Sequence, residues 1–378
     1  MQLKPFLLDM WQDKYEHDIE FNLAASTGPS WTVNEVLDLA GEEERQRFLG
    51  HKLVYGRPAG ADPLREAIAE MHGVSTECVQ VVTGASEALV VLMWLGAEPG
   101  ANVILPRPGF ATFSALPESL GLETRFYGIR KESNFSIDVE EIMRLADGRT
   151  NLILVNSPHN PTGATMSDTE MERLHEFTST RGIQLVIDEV YHPIYHGRET
   201  KSASRLPQAT VIHDFSKAFS LAGVRTGWMI EHDPKRRKRY WNARAYFSIS
   251  NNSPGEILAE IAMRKRDVIL RKTQETAARN LERLDRFMAE HHETLEWIRP
   301  RGGMTAFPWL VSDENARPFC EAAAEQGILL APGDCFDCSS HFRLGFAATG
   351  QKFPLALDRL GKFVKSWREV ANQVHNSV

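Results

Sequence analysis

The sequence predicts an α/β fold, a large, mainly parallel sheet with a second, smaller α/β domain, and three observations carry that expectation. Short apolar runs of strand length alternate with helical segments from Val79 to Ile230, the pattern of crossover units that lay strands side by side in one direction. Beyond Pro254 the apolar period turns helical for a long stretch, through residues 256–263 and on to about Met288. Strand-like runs then return after Leu295 and end in an amphipathic helix over residues 354–370. No repeat or low-complexity segment interrupts either part.

Taken in order, residues 21–24 read as a strand piece running into the small-residue loop Ala25-Ser-Thr-Gly-Pro29. Such a loop lets a ligand or a second backbone come close, or is an ordinary turn. Tyr55-Gly-Arg-Pro-Ala-Gly60 is turn-rich, and Asp62 before Pro63 predicts an N-cap with proline in the first helical turn. Residues 79–83 predict a strand, Gly84-Ala85-Ser86 a turn, and Glu87 onward a helix buried along residues 88–95. Free N–H groups at such a helix start can hold a phosphate; the same turn can also be a plain tight connection. Further strands are expected at 102–105, 124–127, 151–155, 184–187, 210–212 and 227–230, with helices at 139–145 and 168–180. The smaller region should hold strands near 295–298, 305–309, 328–331 and 342–346. Parallel sheets bind ligands outside the carboxyl ends of their strands, and Ser86, Asn160, Asp188 and Lys217 all follow predicted strands.

Length and charge narrow the function. A chain of 378 residues has room for two domains at about 150 residues each. Its formal net charge of −7 argues against a general nucleic-acid binder. The basic run at residues 235–239 follows Asp233-Pro234, a helix-start pair, and so reads as a solvated helix face rather than a polyanion patch. The opening residues mix Lys4, Asp9, Asp13, Lys14 and Glu16 with apolar side chains, unlike a signal peptide, and the longest apolar run, 88–97, is too short to span a bilayer. The expectation is a cytoplasmic protein engaging neither membrane nor nucleic acid. Four cysteines make no disulfide framework; Cys335-Phe-Asp-Cys338 has metal or redox spacing but no second pair, and reads as incidental thiols.

The chemistry gathers around His213-Asp-Phe-Ser-Lys217, which continues through Gly223-Val-Arg225-Thr-Gly227. A lysine set in a buried or cationic neighbourhood becomes a nucleophile and forms Schiff bases with carbonyl compounds. Lys217 is therefore a candidate covalent anchor, the alternative being a surface lysine in a loop. In Asn156-Ser-Pro-His-Asn160-Pro-Thr-Gly163 the prolines and glycine fix a turn that presents Asn160. Asp188 ends the apolar run 185–187, where a carboxylate is costly unless paired, either with an arginine or with a cationic ligand nitrogen.

These three blocks, Asn156 to Gly163, Asp188-Glu-Val-Tyr191 and Ser216-Lys217 through Gly227, stand in the order that resembles the class I/II aminotransferases, fold type I enzymes of pyridoxal 5′-phosphate. The resemblance implies an aspartate aminotransferase-like fold, with a large three-layer cofactor-binding domain over residues 45–270. Residues 1–44 and 271–378 would form the small domain. It implies that Lys217 holds the cofactor as a Schiff base and shuttles the proton, and that Asp188 keeps the pyridine nitrogen protonated. Asn160 and Tyr191 would bond the ring oxygen. Gly84, Ala85, Ser86, Ser216 and Arg225 would hold the phosphate, and Phe110 would stack on the ring. Arg343, in Phe342-Arg-Leu-Gly-Phe346, would grip the substrate α-carboxylate, with Asn160 and the loop at Ala25 completing the substrate site. Tyr55 would reach the phosphate of a neighbouring subunit, which implies a homodimer with shared active sites. The activity implied is amino transfer between an α-amino acid and a 2-oxo acid.

Two readings stand beside it. Arg301-Gly-Gly-Met-Thr-Ala-Phe-Pro308 and the region from Trp11 to Tyr15 are similar to capreomycidine synthase, a cyclising branch of the family, which also contains β-elimination lyases. Regulators with an aminotransferase-like domain also exist, fused to a DNA-binding domain for which this chain shows no basic surplus. One residue departs from the family pattern: Asp214 occupies the place, three before the lysine, where a serine or threonine usually donates to the phosphate. An ionised carboxylate there would repel a phosphate, so Asp214 should turn away, towards His213 or a basic side chain, or stay protonated.

Overall fold

A computed structural model describes residues 3–375 apart from Glu16 and Asp313, with side chains described as far as residue 369. Glu16, counted above among the charged opening residues, thus lies outside the described residues. The chain opens with α1 (Leu7–Tyr15), β1 (Phe21–Asn22), α2 (Val33–Ala40), α3 (Glu42–Leu49) and α4 (Asp62–His72). The alternating part runs β2 (Val79–Val82), α5 (Gly84–Gly96), β3 (Asn102–Arg107), α6 (Ala111–Ser119), β4 (Glu123–Gly128), α7 (Val139–Leu145), β5 (Thr150–Asn156), α8 (Asp168–Arg181), β6 (Gln184–Asp188), β7 (Ala209–Asp214), β8 (Gly227–Ile230) and α9 (Pro234–Arg244). After α10 (Ser253–Arg264) and α11 (Arg266–Glu290) come β9 (Leu295–Glu296), β10 (Thr305–Ala306), β11 (Trp309–Leu310), α12 (Arg317–Glu325), β12 (Ile328–Leu329), β13 (Ala331–Pro332), β14 (Phe342–Gly345) and α13 (Phe353–His375).

The large sheet has the order β2-β8-β7-β6-β5-β3-β4. Strands β4, β3, β5, β6 and β7 pair in parallel, and β8 runs antiparallel to both β7 and β2. The expected mainly parallel sheet is therefore present with one reversed strand. Every residue of β2, β7 and β8 is buried, as a sheet covered on both faces requires, and their side chains accordingly lack polar–apolar alternation.

The smaller part is built from two- to four-residue strands. Strands β10, β14 and β13 form one antiparallel sheet, β9 pairs with β11, and β1 joins β12 in parallel. That last pairing fastens the N-terminal segment to the C-terminal part.

Four local expectations need correction. Asp62 is itself the first residue of α4, and Ala61 holds the cap position without a side-chain bond. Asp233 does cap α9, accepting from the Lys235 N–H. The long helix is two, α10 and α11, parted at Lys265. The strand expected at 305–309 divides at Phe307-Pro308, where proline cannot donate to a ladder, and 328–331 divides because its halves serve different partners, β1 and β14.

The sheet aligns the carboxyl ends that matter. Asn156 at the end of β5 stands opposite Asp188 at the end of β6, and Asp214 at the end of β7 stands opposite Gly227 at the start of β8. One crevice collects the turns that follow them.

Candidate active site

A cavity of about 630 Å³ opens at these strand ends. Of the residues singled out in the sequence, Ala85, Ser86, Phe110, Asn160, Asp188, Tyr191, Ser216, Lys217, Arg225 and Arg343 line it, with Asp214 among them. Gly84 stands just behind, and Tyr55 lies outside, 82% exposed on the surface. Ala25 does not line the cavity; its backbone carbonyl packs against Gly345 at a distance only a glycine permits, and the neighbouring Ser26 faces the cavity instead.

Lys217 is held in the cavity rather than on the surface: its Nζ donates to Ser26 Oγ at 3.0 Å. Asp188 is buried and forms no ion pair among the described residues, so the arginine partnership left open by the sequence is absent. Its Oδ1 accepts only the Val190 N–H, at 3.1 Å. Burial, reinforced by the nearby Asp214 carboxylate, lifts its pKa to about 7. A buried acid in that state gains most from a cationic partner.

Asp214 does not reach His213 with its carboxylate. Its Oδ1 accepts the Ser216 N–H at 2.9 Å and shapes the turn ahead of Lys217, while its own backbone N–H donates to His213 Nδ1. His213 donates from Nε2 to the His192 carbonyl at 2.8 Å and stacks on Trp228 at 4.3 Å, and burial lowers its pKa to about 3. It stays a neutral wedge behind the site.

The anion-binding corner lies at the start of α5. Arg225 adopts a left-handed backbone, φ 50°, which turns its guanidinium towards Gly84. A Cβ on Gly84, whose φ is 73°, would sit 2.7 Å from Arg225 Nη2, so glycine is needed both for the turn and for the room. Behind the corner, Glu87 accepts the Thr83 N–H at 2.5 Å and the Arg244 Nε at 3.1 Å, and Arg244 continues to the Pro58 carbonyl and Asn251. The first turn of α5 is thereby tied to the loop that carries Tyr55.

Arg343 is fully buried, and burial lowers its pKa. Its Nη1 donates to Asn160 Oδ1 at 3.0 Å and its Nη2 to the Ala24 carbonyl at 2.5 Å; Nε has no hydrogen-bond partner among the described residues. Because Asn160 Oδ1 is engaged, its Nδ2 is the group left to donate into the cavity. Tyr191 Oη is buried and also without a hydrogen-bond partner among the described residues. An orphaned phenol, a buried acid at about 7, an anion corner that a single Cβ would fill and an amine on one cavity suit a ligand with a phenolic oxygen, a ring nitrogen, a phosphate and a carbonyl.

Sequence reasoning missed several members. Asn156 lines the cavity, and its Nδ2 bonds both the Pro158 and Asp188 carbonyls at 3.1 Å, bracing the turn that carries Asn160; it was the first residue of that very motif. Ser26 lay in the loop already noted. Glu87 and Arg244 are 157 residues apart and carried no local signal. Phe6, Asp9 and Gln12 also line the cavity, although none of them was singled out for a site in the sequence. The Cys335–Cys338 pair remains thiols, all four cysteines being free, and no group of metal-holding side chains exists among the described residues.

Comparison with known proteins agrees with this geometry. The model of aminotransferase class I and II matches residues 22–360. A PLP-dependent aminotransferase from Streptococcus suis superposes with a TM-score of 0.91 at 28% identity, over 97% of this chain and 99% of that one. Capreomycidine synthase of Streptomyces vinaceus is 26% identical, covering 90% of this chain and 88% of its own. A cystine lyase of Arabidopsis thaliana is 27% identical, covering 87% of this chain and 85% of its own. The chain belongs to the class I and II aminotransferase family, has the aspartate aminotransferase-like fold, and takes pyridoxal 5′-phosphate as its cofactor.

Proposed function

We propose that the protein is an aminotransferase, moving the amino group of an α-amino acid to a 2-oxo acid in two half-reactions. The observation that carries this reading is the placement of Lys217 and the buried Arg343 on one cavity with the buried Asp188. When bound, the cofactor supplies a carbonyl for amines and a ring that takes up the electron pair freed at the substrate α-carbon. Lys217 would anchor it through Nζ and, with Nζ freed by the substrate amine, would take the proton from the substrate α-carbon and return it. Asp188 pairs with the ring nitrogen and keeps it cationic. Tyr191 Oη and Asn160 Nδ2 donate to the ring oxygen, and Phe110 covers the ring. The N–H groups of Ala85 and Ser86, the Ser216 hydroxyl and the Arg225 fork hold the phosphate, with Gly84 leaving the space. Arg343 takes the α-carboxylate. The second half-reaction runs the first backwards on the same lysine, so no further acid or base is required.

A second reading, β-elimination or cyclisation on the same lysine, is favoured by the likeness to a cystine lyase and to capreomycidine synthase along most of the chain. Incubating the holoenzyme with single amino acids separates the two. Amino transfer to 2-oxoglutarate is expected; ammonia and pyruvate without transfer would refute the leading reading.

We also read residues 45–270 as the cofactor-binding body, with 1–44 and 271–378 forming the smaller one. The active form is a homodimer. Leu53, Val54, Tyr55, Tyr246, Phe247 and Ile249 are exposed apolar side chains that support a covered surface, from which Tyr55 extends to the partner's phosphate. Sedimentation should give twice the chain mass. The four free thiols support a reducing, cytoplasmic setting.

A further inference from the structure

We propose that Asp9, with Gln12 beside it on α1, reads a cationic side chain on the amino-acid substrate, so that the preferred substrates are basic amino acids. Three cations and three carboxylates line the cavity. Its cations are accounted for: Lys217 bonds Ser26, Arg225 faces the Gly84 corner, and Arg343 holds Asn160 and the Ala24 carbonyl. Of its carboxylates, Asp188 lies at the ring-nitrogen position and Asp214 accepts the Ser216 N–H. Asp9 remains. It lines the cavity, yet makes no side-chain hydrogen bond or ion pair among the described residues.

The position of Asp9 is built rather than incidental. Leu8 and Trp11, three residues apart on α1, are buried, and the Trp11 indole donates to the Leu330 carbonyl at 2.8 Å while Arg317 sits 5.2 Å from its ring. The pair one step on, Asp9 and Gln12, is thereby fixed on the cavity side of the helix. Phe6 packs against Phe110 at 5.5 Å, so the wall that carries Asp9 is continuous with the wall expected over the cofactor ring. With Phe6, Leu89, Phe110 and Phe113 it offers apolar surface for a methylene chain, ending on a carboxylate and an amide oxygen. A guanidinium has five donors and an ammonium three, and neither meets a competing cation there; an acidic side chain would be repelled.

This inference rests on the aminotransferase reading only for the seat of the substrate carboxylate at Arg343, and its test does not depend on turnover. The holoenzyme is titrated with L-arginine, L-norleucine and L-glutamate, and the change in the cofactor absorption band gives each dissociation constant. Arginine should bind more tightly than norleucine by about tenfold, the size of one charge-assisted hydrogen bond. Asp9→Asn should bring that ratio close to one, and Asp9→Lys should move the preference towards glutamate. A wild-type ratio near one, or a ratio that survives Asp9→Asn, overturns the proposal. Arginine that binds selectively without amino transfer overturns the proposed reaction and leaves Asp9 its role. Norleucine transferred as readily as arginine does the reverse.

Discussion

Replacing Asp188 with Asn tests the electrostatic core of the site in the cofactor-free protein. In the folded chain the carboxyl is raised from an ordinary 3.8 to about 7, first by burial and then by the Asp214 carboxylate. A carboxyl whose folded pKa lies above its unfolded value binds more protons in the folded state throughout the interval between them. Stability therefore falls as pH rises through that interval, and the loss is complete above pH 7. A rise of this size corresponds to about 4 kcal/mol over the whole interval, of which about 2 kcal/mol falls between roughly pH 5.5 and pH 8. Asn retains an oxygen for the Val190 N–H and does not titrate. Urea unfolding of cofactor-free wild type and Asp188→Asn should show the wild type losing about 2 kcal/mol relative to the variant between those pH values. In the holoenzyme the order reverses, the variant losing on the order of a hundredfold in turnover because the ring nitrogen has lost its counter-ion. A stability difference that does not change with pH would refute the reasoning.

Three further outcomes follow from the same geometry. Gly84→Ala forces a side chain into a left-handed turn 2.7 Å from Arg225, and should weaken pyridoxal phosphate binding about tenfold in an apoenzyme titration. Arg343→Lys loses the planar fork while keeping the charge; kcat/KM should fall on the order of a hundredfold, and an unchanged value would remove Arg343 from the substrate site. Asp214→Ser restores a hydroxyl near the phosphate and removes the carboxylate that helps raise Asp188, so cofactor affinity should be equal or tighter. Clear weakening on titration would mean that the Asp214 bond to the Ser216 N–H is itself what shapes the site.

The sequence by itself determined the order of the elements and the identity of the central residues. Strand length, alternation and buried apolar runs are local properties, which is why β8 and α7 were read at their observed limits and the lysine, acid and asparagine were found at strand ends. Pairing is not local. Nothing in residues 227–230 distinguishes a strand that runs antiparallel to both neighbours, and nothing in 328–331 tells that its two halves hold different partners. Only the tertiary structure decided that Asp188 has no arginine partner among the described residues and that Asp214 bonds a backbone N–H. It also showed that the first turn of α5 leans on Arg244, 157 residues away from Glu87. The opening helix makes the same point for function: Asp9 looked like one charge among several until the burial of Leu8 and Trp11 turned it to the cavity, since the direction of a side chain is set by what packs behind its helix.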